Sequence, residues 1–188
     1  ANGDYHLLAS SHLINAGHPD STDSDGTIAD IGAYPYLTDN TEPVWYINTA
    51  GNDTTGTGTS VNPFASIQAG INFSSDADSV TVAAGTYVEN IDFRGRNIKV
   101  VGEDRETTII DGNQSGSVVI FLNEFGGGVS AAAMLSGFTI TNGGDVEHGG
   151  GIRLSGGSNP TLNNLIVQNN EANNGGGISL ISSSPTLS

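Results

Sequence analysis

The chain lacks cysteine in all 188 residues, which excludes disulfide bonds and thiolate metal sites. Basic residues are also scarce, since five Lys and Arg stand against 20 Asp and Glu for a formal net charge of -15. This charge argues against nucleic acid or an anionic membrane surface as a partner, and it repels polyanionic substrates. No run of about 18 apolar residues occurs, so the sequence predicts no membrane-spanning helix.

Charged residues of both signs make up only 13% of the chain, so Asn, Ser, Thr and Gly must form most of its surface. These residues suit turns and the exposed faces of strands. Although there are 27 glycines, 36% of the residues are hydrophobic and they occur in alternating runs, which predicts a folded chain. Acidic, Lys-poor β sequences of this kind are commonest outside the cell, so we expect an extracellular or cell-surface location.

The most informative pattern is a repeat near the C-terminus. The sequence GGGIRLSGGSNPTL at 149–162 returns as GGGISLISSSPTL at 175–187. Ile152 and Leu154 recur 26 residues later, whereas the PTL triplet recurs 25 residues later. One residue is therefore missing inside the second copy.

A third echo lies upstream, where LSGFTITNG at 135–143 aligns with LNNLIVQNN at 162–170 after a shift of 27 residues. Short apolar alternations separated by Gly, Asn and Ser at this period are typical of a solenoid of stacked strands. Equivalent residues such as Ile152 and its repeat are expected to stack at about 4.8 Å, the spacing of neighbouring strands. The turn residues Asn142 and Asn169 are expected to form a ladder of side-chain amides.

A different segment precedes the repeats. Residues 1–40 contain six Asp and no Lys or Arg, and the polar stretch TDNTEP at 38–43 predicts a linker. After it, VWYIN is a predicted strand, and Asn62 followed by Pro63 predicts the N-cap and first residue of an amphipathic helix near 63–73.

The loop DSTDSDGTIAD at 20–30 is a candidate calcium site, because Asp at alternate positions before a Gly turn can supply several hard oxygen ligands. The predicted ligands are Asp23, Asp25, Asp30 and the carbonyl of Thr27. The loop lacks the acidic first and twelfth positions of an EF-hand. The alternative is a solvated turn in which the Asp side chains bind nearby backbone groups.

The stretch PFASIQAGINFSSDADSVTVAAGTYVENIDFRGRNIKVVGE, together with TTIIDGN, resembles the opening of right-handed parallel β-helix proteins of the pectin-lyase-like superfamily. The resemblance covers residues 43–188 and implies an all-β fold, a right-handed parallel β-helix with a short N-terminal lid helix. The segment DYHLLASSHLINAGHPDSTDSDGTIADIGAYPY is similar to the segment that closes such helices in large secreted bacterial surface proteins. In it, Asn15 and His18 replace the family's usual acidic residues.

The chain therefore has a closing segment at 1–40 followed by a β-helix at 41–188 whose C-terminal end is expected to be uncapped. An open last coil invites pairing with another chain. We expect residues 1–40 of one copy to cap the 161–188 end of another copy, a head-to-tail contact that can build fibres. The alternative is that residues 1–40 pack on their own chain.

Catalysis is not expected. Enzymes of the resembled superfamily use clustered acidic residues with a basic residue, or a Gln with paired Asp, and neither pattern occurs in the repeats, where Arg153 is the one basic residue. The function expected from the sequence is an extracellular structural or adhesive module. The alternative is binding or cleavage of a glycan along the flank of the β-helix.

Overall fold

The computed structural model of the chain describes residues 5–18, 20–38, 42–122 and 129–188. Within these ranges the fold is all-β with a single helix, and every pair of named strands is parallel. The elements in chain order are β1 (Val44–Ile47), α1 (Ile67–Phe73), β2 (Ser79–Val82), β3 (Gly85–Val88), β4 (Ile91–Asp92), β5 (Lys99–Gly102), β6 (Thr108–Asp111), β7 (Val119–Phe121), β8 (Met134–Thr141), β9 (Ile152–Ser155), β10 (Thr161–Gln168), β11 (Ile178–Ile181) and β12 (Thr186–Leu187).

Two parallel sheets follow the order of the chain. The larger sheet runs β1-β2-β5-β8-β10-β12, with β3 and β6 attached to it through β8. The smaller sheet runs β4-β7-β9-β11. Since both sheets grow in chain order, their last strands β11 and β12 lie at one end and β1 lies at the other.

The strand register matches the sequence repeats. Ile178 pairs with Ile152 and Leu180 with Leu154, an offset of 26 residues. The other two offsets are also strand registers, because Thr186 pairs with Thr161 and Leu165 with Phe138. The predicted stacking of repeated residues is therefore confirmed, and each period of the sequence adds one strand to each sheet.

Two long strands bend at equivalent places. In β8 the bend is at Gly137, with φ of 80°, and in β10 it is at Asn164, with φ of 50°. Glycine and asparagine tolerate this left-handed conformation better than other residues. The halves of β8 pair separately with β5 and β6, so the bend redirects the strand without ending it.

The expected amide ladder takes a different form. Asn142 and Asn169 both have positive φ, and the Asn142 N–H donates to the Asn169 carbonyl at 3.2 Å. The side chain of Asn142 makes its hydrogen bond to the preceding strand, since its Nδ2 donates to Asp111 Oδ2 at 2.9 Å. The contact between the two asparagines is a backbone hydrogen bond, so the predicted ladder of side-chain amides is wrong.

Buried side chains form columns that follow the strand register. One column follows the register of the larger sheet, and its members are buried until the last strand: Trp45, Val80, Val100, Leu135 and Leu162 are at most 4% exposed, whereas Leu187 is 63% exposed. In the smaller sheet Leu154 is fully buried, whereas its partner Leu180 is 50% exposed. Two leucines in equivalent positions of neighbouring strands therefore differ in exposure, because one is covered by a further strand and the other is not.

The predicted start of the helix is wrong. The helix begins at Ile67, and its N-cap is Ser66, whose Oγ accepts a hydrogen bond from the Ala69 N–H. Residues 62–64 are held by β1 and the preceding loop instead: the Phe64 N–H donates to the Tyr46 carbonyl of β1, and the Asn62 carbonyl accepts from the N–H groups of Thr57 and Gly58. The Phe64 ring stacks with Phe73 at a centroid distance of 5.2 Å and is fully buried. Burial of this aromatic side chain outweighs the local preference of Asn-Pro for a helix start.

A substitution at two equivalent leucines tests the columns. Leu154→Ala should lower the free energy of unfolding by about 3 kcal/mol, because it removes a fully buried side chain and leaves a cavity. Leu180→Ala removes the same atoms from a half-exposed position and should cost less than about 1 kcal/mol. Urea unfolding of both variants in dilute solution measures the difference, and equal losses would contradict the exposed position of β11.

Candidate functional site

The two ends of the sheets are the places where the structure departs from a regular stack. At the β1 end, helix α1 packs against β1, β2 and β4, and the N-terminal segment (residues 5–18 and 20–38) packs over the helix. Ala9 and Ile14 of this segment are fully buried. The segment thus contacts helix α1 of its own chain, and capping of another copy stays a prediction. The predicted boundary at residue 40 and residues 39–41 of the predicted linker at 38–43 lie outside the described residues.

Two carboxylates bind the start of helix α1. Asp53 Oδ1 accepts from the N–H groups of Ala65 and Ser66 at 2.7 and 3.2 Å. Glu89 accepts from the next two N–H groups, those of Ile67 and Gln68, at 2.8 and 3.0 Å. These are donors that a helix N-terminus leaves without intrahelical partners, and negative charge is favourable there.

Burial nevertheless raises the pKa of Glu89 to about 7, and the negative charge of Asp53 acts in the same direction. The two backbone hydrogen bonds oppose this effect because they favour the ionised form. Glu89 is therefore a half-buried carboxyl group whose pKa is raised to about 7.

Asn72, at the other end of the helix, joins it to the N-terminal segment. The Asn72 side chain is fully buried, and its Nδ2 donates to the carbonyls of Ala9 and Ser11 at 3.0 and 2.8 Å. Its Oδ1 accepts from Gln68 Nε2 at 3.1 Å and from Arg94 Nη1 at 3.0 Å. All four hydrogen-bonding positions of this amide are filled, as burial of a polar group requires.

Two arginines complete the junction. Arg94 Nη1 also donates to the Ile14 carbonyl at 2.9 Å, so it contacts both the segment and the helix. Arg96 Nη1 donates to the last carbonyls of the helix, those of Ile71 and Asn72. Burial and the nearby charge of Arg94 lower the pKa of Arg96 to about 10, so Arg96 stays protonated at neutral pH. Both arginines therefore donate to backbone carbonyls, and Arg94 donates to the Asn72 side chain as well.

The predicted calcium ligands are close together and hold the N-terminal segment in shape. Asp25 Oδ1 accepts from the N–H and Oγ1 of Thr27, and its Oδ2 accepts from the Thr38 N–H at 3.0 Å. Asp30 accepts from the N–H groups of Asn15 and Tyr36, both at 2.8 Å. The remaining bonds close the loop: Asp23 Oδ2 accepts from the Asp30 N–H, and the Thr27 carbonyl accepts from the Asp23 N–H.

Those hydrogen bonds match the solvated-turn alternative, and the described ranges contain no group of three or more His, Asp or Glu arranged to hold a metal. Calcium binding stays a prediction. If it holds, calcium should raise the melting temperature of the protein, because a ligand bound only by the folded state stabilises it. Asp25→Asn should remove that increase in calorimetry, whereas the exposed Asp145→Asn should keep it.

The N-terminal segment also presents an apolar outer face, defined as the exposed large hydrophobic residues that it carries. Their exposed fractions lie between 40% and 72%. They are Tyr5, Leu8, Leu13, Ile28, Ile31, Tyr34 and Leu37. Exposed apolar side chains mark an interaction site where they form one patch.

The opposite end, the C-terminal edge, consists of β11 and β12. Each of these strands pairs on one side only among the described residues, with β9 and β10 respectively. The edge exposes Leu180, Ile181 and Leu187, which are 50%, 36% and 63% exposed. Strand edges of this kind can pair with a further strand.

A groove lies on the flank of the larger sheet. It has a volume of about 420 Å³ and is lined by residues that include Tyr46, Asn48, Thr81 and Glu103. Tyr46 is 36% exposed, and Glu103 Oε2 accepts from the Ala84 N–H at 3.0 Å. The groove thus has one aromatic surface and several polar groups.

In the part of the chain that the structure describes, no helix has the length and apolar character needed to cross a membrane. No protein-family model, curated protein or solved structure matches this chain.

The sequence predicted that the N-terminal segment and the C-terminal strands take part in interactions, but it did not identify the residues that hold the N-terminal segment in place. Asp53, Asn72 and Glu89 lie outside the repeats, in loops or at a helix end. A polar residue in such a position has no periodicity that could reveal its burial.

Proposed function

We propose that the chain is an extracellular structural or adhesive module, built as a right-handed parallel β-helix of the pectin-lyase-like kind, that assembles head to tail into fibres. Parallel strands that recur every 25 to 27 residues in register support the β-helix. A right-handed winding is favoured because parallel crossover connections take that hand in about 98% of cases.

The observation that carries the proposal is the in-register stack of the larger sheet, in which Trp45, Val80, Val100, Leu135 and Leu162 form one buried column. A stack of this kind can be continued by further layers, because added strands bury apolar side chains and pair with the strands below them. A head-to-tail contact repeats without closing and so produces a linear assembly.

Light scattering after size-exclusion chromatography tests the assembly. The wild-type protein should form species at multiples of 19.2 kDa whose proportion rises with concentration, and negative-stain images should show rods or fibres. Leu187→Asp should shift the distribution to the monomer, because an unpaired carboxylate is costly to bury. Val88→Asp is the matched control, since Val88 is 65% exposed on the flank strand β3. A wild-type protein that stays at 19.2 kDa up to high concentration would exclude the proposal.

The extracellular location rests on composition, in particular the acidic, Lys-poor surface. The second candidate function is glycan recognition, and the flank groove with Tyr46, Asn48 and Glu103 favours it. A sugar ring could stack on the tyrosine while the polar groups bind its hydroxyls. Binding to a glycan panel that Tyr46→Ala abolishes would support this candidate, and no binding to any glycan would count against it.

A further inference from the structure

We propose that the flank groove binds a glycan whose sugar rings carry a protonated amine, and that the Glu103 carboxylate pairs with that amine. The proposal rests on glycan recognition, the second candidate function, and names the class of sugar that the groove selects. The lining of the groove comes from β1, β2, β5 and the loop before helix α1.

One row of the lining crosses three neighbouring strands. Tyr46 of β1, Thr81 of β2 and Val101 of β5 are partners in the parallel register, so they lie side by side on one face of the sheet. The backbone of Tyr46 is also held by the loop, because its N–H donates to the Gly58 carbonyl at 2.9 Å and its carbonyl accepts from the Phe64 N–H at 3.1 Å. Tyr46 therefore offers a fixed, partly exposed aromatic surface against which a sugar ring can pack.

Glu103 lies beside this row because backbone hydrogen bonds extend the sheet past the end of β5. Its N–H donates to the Val82 carbonyl at 2.9 Å, directly after the last register pair of β5 with β2. Its Oε2 accepts from the Ala84 N–H at 3.0 Å, which fixes the position of the carboxylate. Among the described residues the Glu103 side chain has no other hydrogen bond or ion pair, so its Oε1 is available to a ligand.

The charge of the groove decides which class of sugar it favours. Among the described residues that line it, Glu103 alone is charged. Arg105, two residues further on, is already paired with Glu106 at 3.3 Å. Lys99 precedes Glu103 by about 13 Å along the strand direction and lines a separate groove. In a chain with a net charge of -15, this site attracts a cationic sugar and repels an acidic one.

A neutral glycan is the alternative occupant, and Asn48 would serve it equally well. The Asn48 Oδ1 accepts from the Ala50 N–H at 2.9 Å, which leaves its Nδ2 to donate to a sugar hydroxyl. Such a bond is the same for every sugar. A protonated amine gains in addition a charge-assisted hydrogen bond to Glu103, which is stronger than a bond between neutral groups.

Calorimetric titration with three tetrasaccharides tests the proposal: one of glucosamine, one of N-acetylglucosamine and one of glucuronate, at pH 6 and low salt. The glucosamine tetramer should bind about fivefold more tightly than the acetylated one, the upper end for an exposed charge pair, and added salt should reduce this preference. Glu103→Gln should abolish the preference, because glutamine still accepts from the Ala84 N–H but carries no charge. Glu171→Gln, at an exposed position outside the groove, is the matched control and should keep it.

Equal binding of the glucosamine and N-acetylglucosamine tetramers would overturn the proposal, and glycan recognition would still stand if Tyr46→Ala abolished that binding. A preference that Glu103→Gln retains would also overturn it, since the selectivity would then come from the net charge of the chain. No binding of any tetramer would count against glycan recognition as well. If circular dichroism shows that Glu103→Gln is unfolded, Thr81→Lys replaces it. This variant puts a positive charge at an exposed position beside Tyr46 and should remove the preference for the amine, and an unchanged preference would overturn the proposal.

Discussion

Asn72→Leu is expected to release the N-terminal segment from helix α1 and to lower the free energy of unfolding by about 4 kcal/mol. Leucine has a similar size but cannot hydrogen-bond. It would leave the carbonyls of Ala9 and Ser11 and the donors of Gln68 and Arg94 without their present partner. A buried polar group without a partner costs about 1–3 kcal/mol, and undocking of the segment limits the total by restoring water to these groups.

Urea unfolding measures the loss, and hydrogen exchange locates it. The Ala9 N–H, which donates to the Asp53 carbonyl at 2.8 Å, should lose its protection in the variant. Asn173→Leu is the matched control, because Asn173 is exposed. Unchanged protection of the Ala9 N–H would contradict the role of Asn72 as the link between segment and helix.

The fold is expected to be more stable at pH 5 than at pH 8 because of Glu89. The pKa of this group is raised from 4.5 to about 7 in the folded protein, so the folded state binds more protons than the unfolded state between these values. The contribution of Glu89 to stability is therefore fully present below pH 4.5 and is lost as the pH rises through about 7. At 1.36 kcal/mol for each unit, the full effect is about 3 kcal/mol.

Glu89→Gln should remove most of this pH dependence, since glutamine does not titrate. The variant loses one of the two oxygen acceptors for the helix N–H groups, and this lowers its stability equally at both pH values. The difference in unfolding free energy between pH 5 and pH 8 therefore reports only the ionisation of residue 89. Glu171→Gln, at an exposed position, should keep the wild-type difference. If Glu89→Gln and wild type respond equally to pH, the carboxyl group of Glu89 is not the source of the effect.

The repeats predicted much of the fold because each repeated residue identifies its own partner in the neighbouring strand. Residues that recur after 25 to 27 positions pair in neighbouring parallel strands, and like residues stack in one column. The start of helix α1 could not be predicted in the same way. Asn62 and Pro63 form a local helix signal, but Phe64 is buried against Trp45 and Phe73, and that packing places residues 62–64 before the helix.

The candidate surfaces were predictable in part. Composition distinguished the acidic N-terminal segment from the repeats, and the repeats placed the last strands at one end. Asp23, Asp25, Thr27 and Asp30 were predicted as a calcium loop, and this stays a prediction; the structure adds that the carboxylates of Asp25 and Asp30 accept hydrogen bonds from backbone N–H groups. Hydrogen-bond partners such as Asn15 and Tyr36 are distant in sequence, so the pattern of Asp residues alone did not reveal them.

The sequence by itself determined the parallel strand pairing and the residues that face the core, because a period of stacked strands repeats the same side chain in the same environment. Only the tertiary structure decided where the N-terminal segment lies and which groups hold it there. Those contacts join residues such as Ile14 and Arg94, or Ala9 and Asn72, that are far apart in sequence and belong to no repeat. Their burial follows from the docking of two irregular segments, and no local pattern encodes that docking.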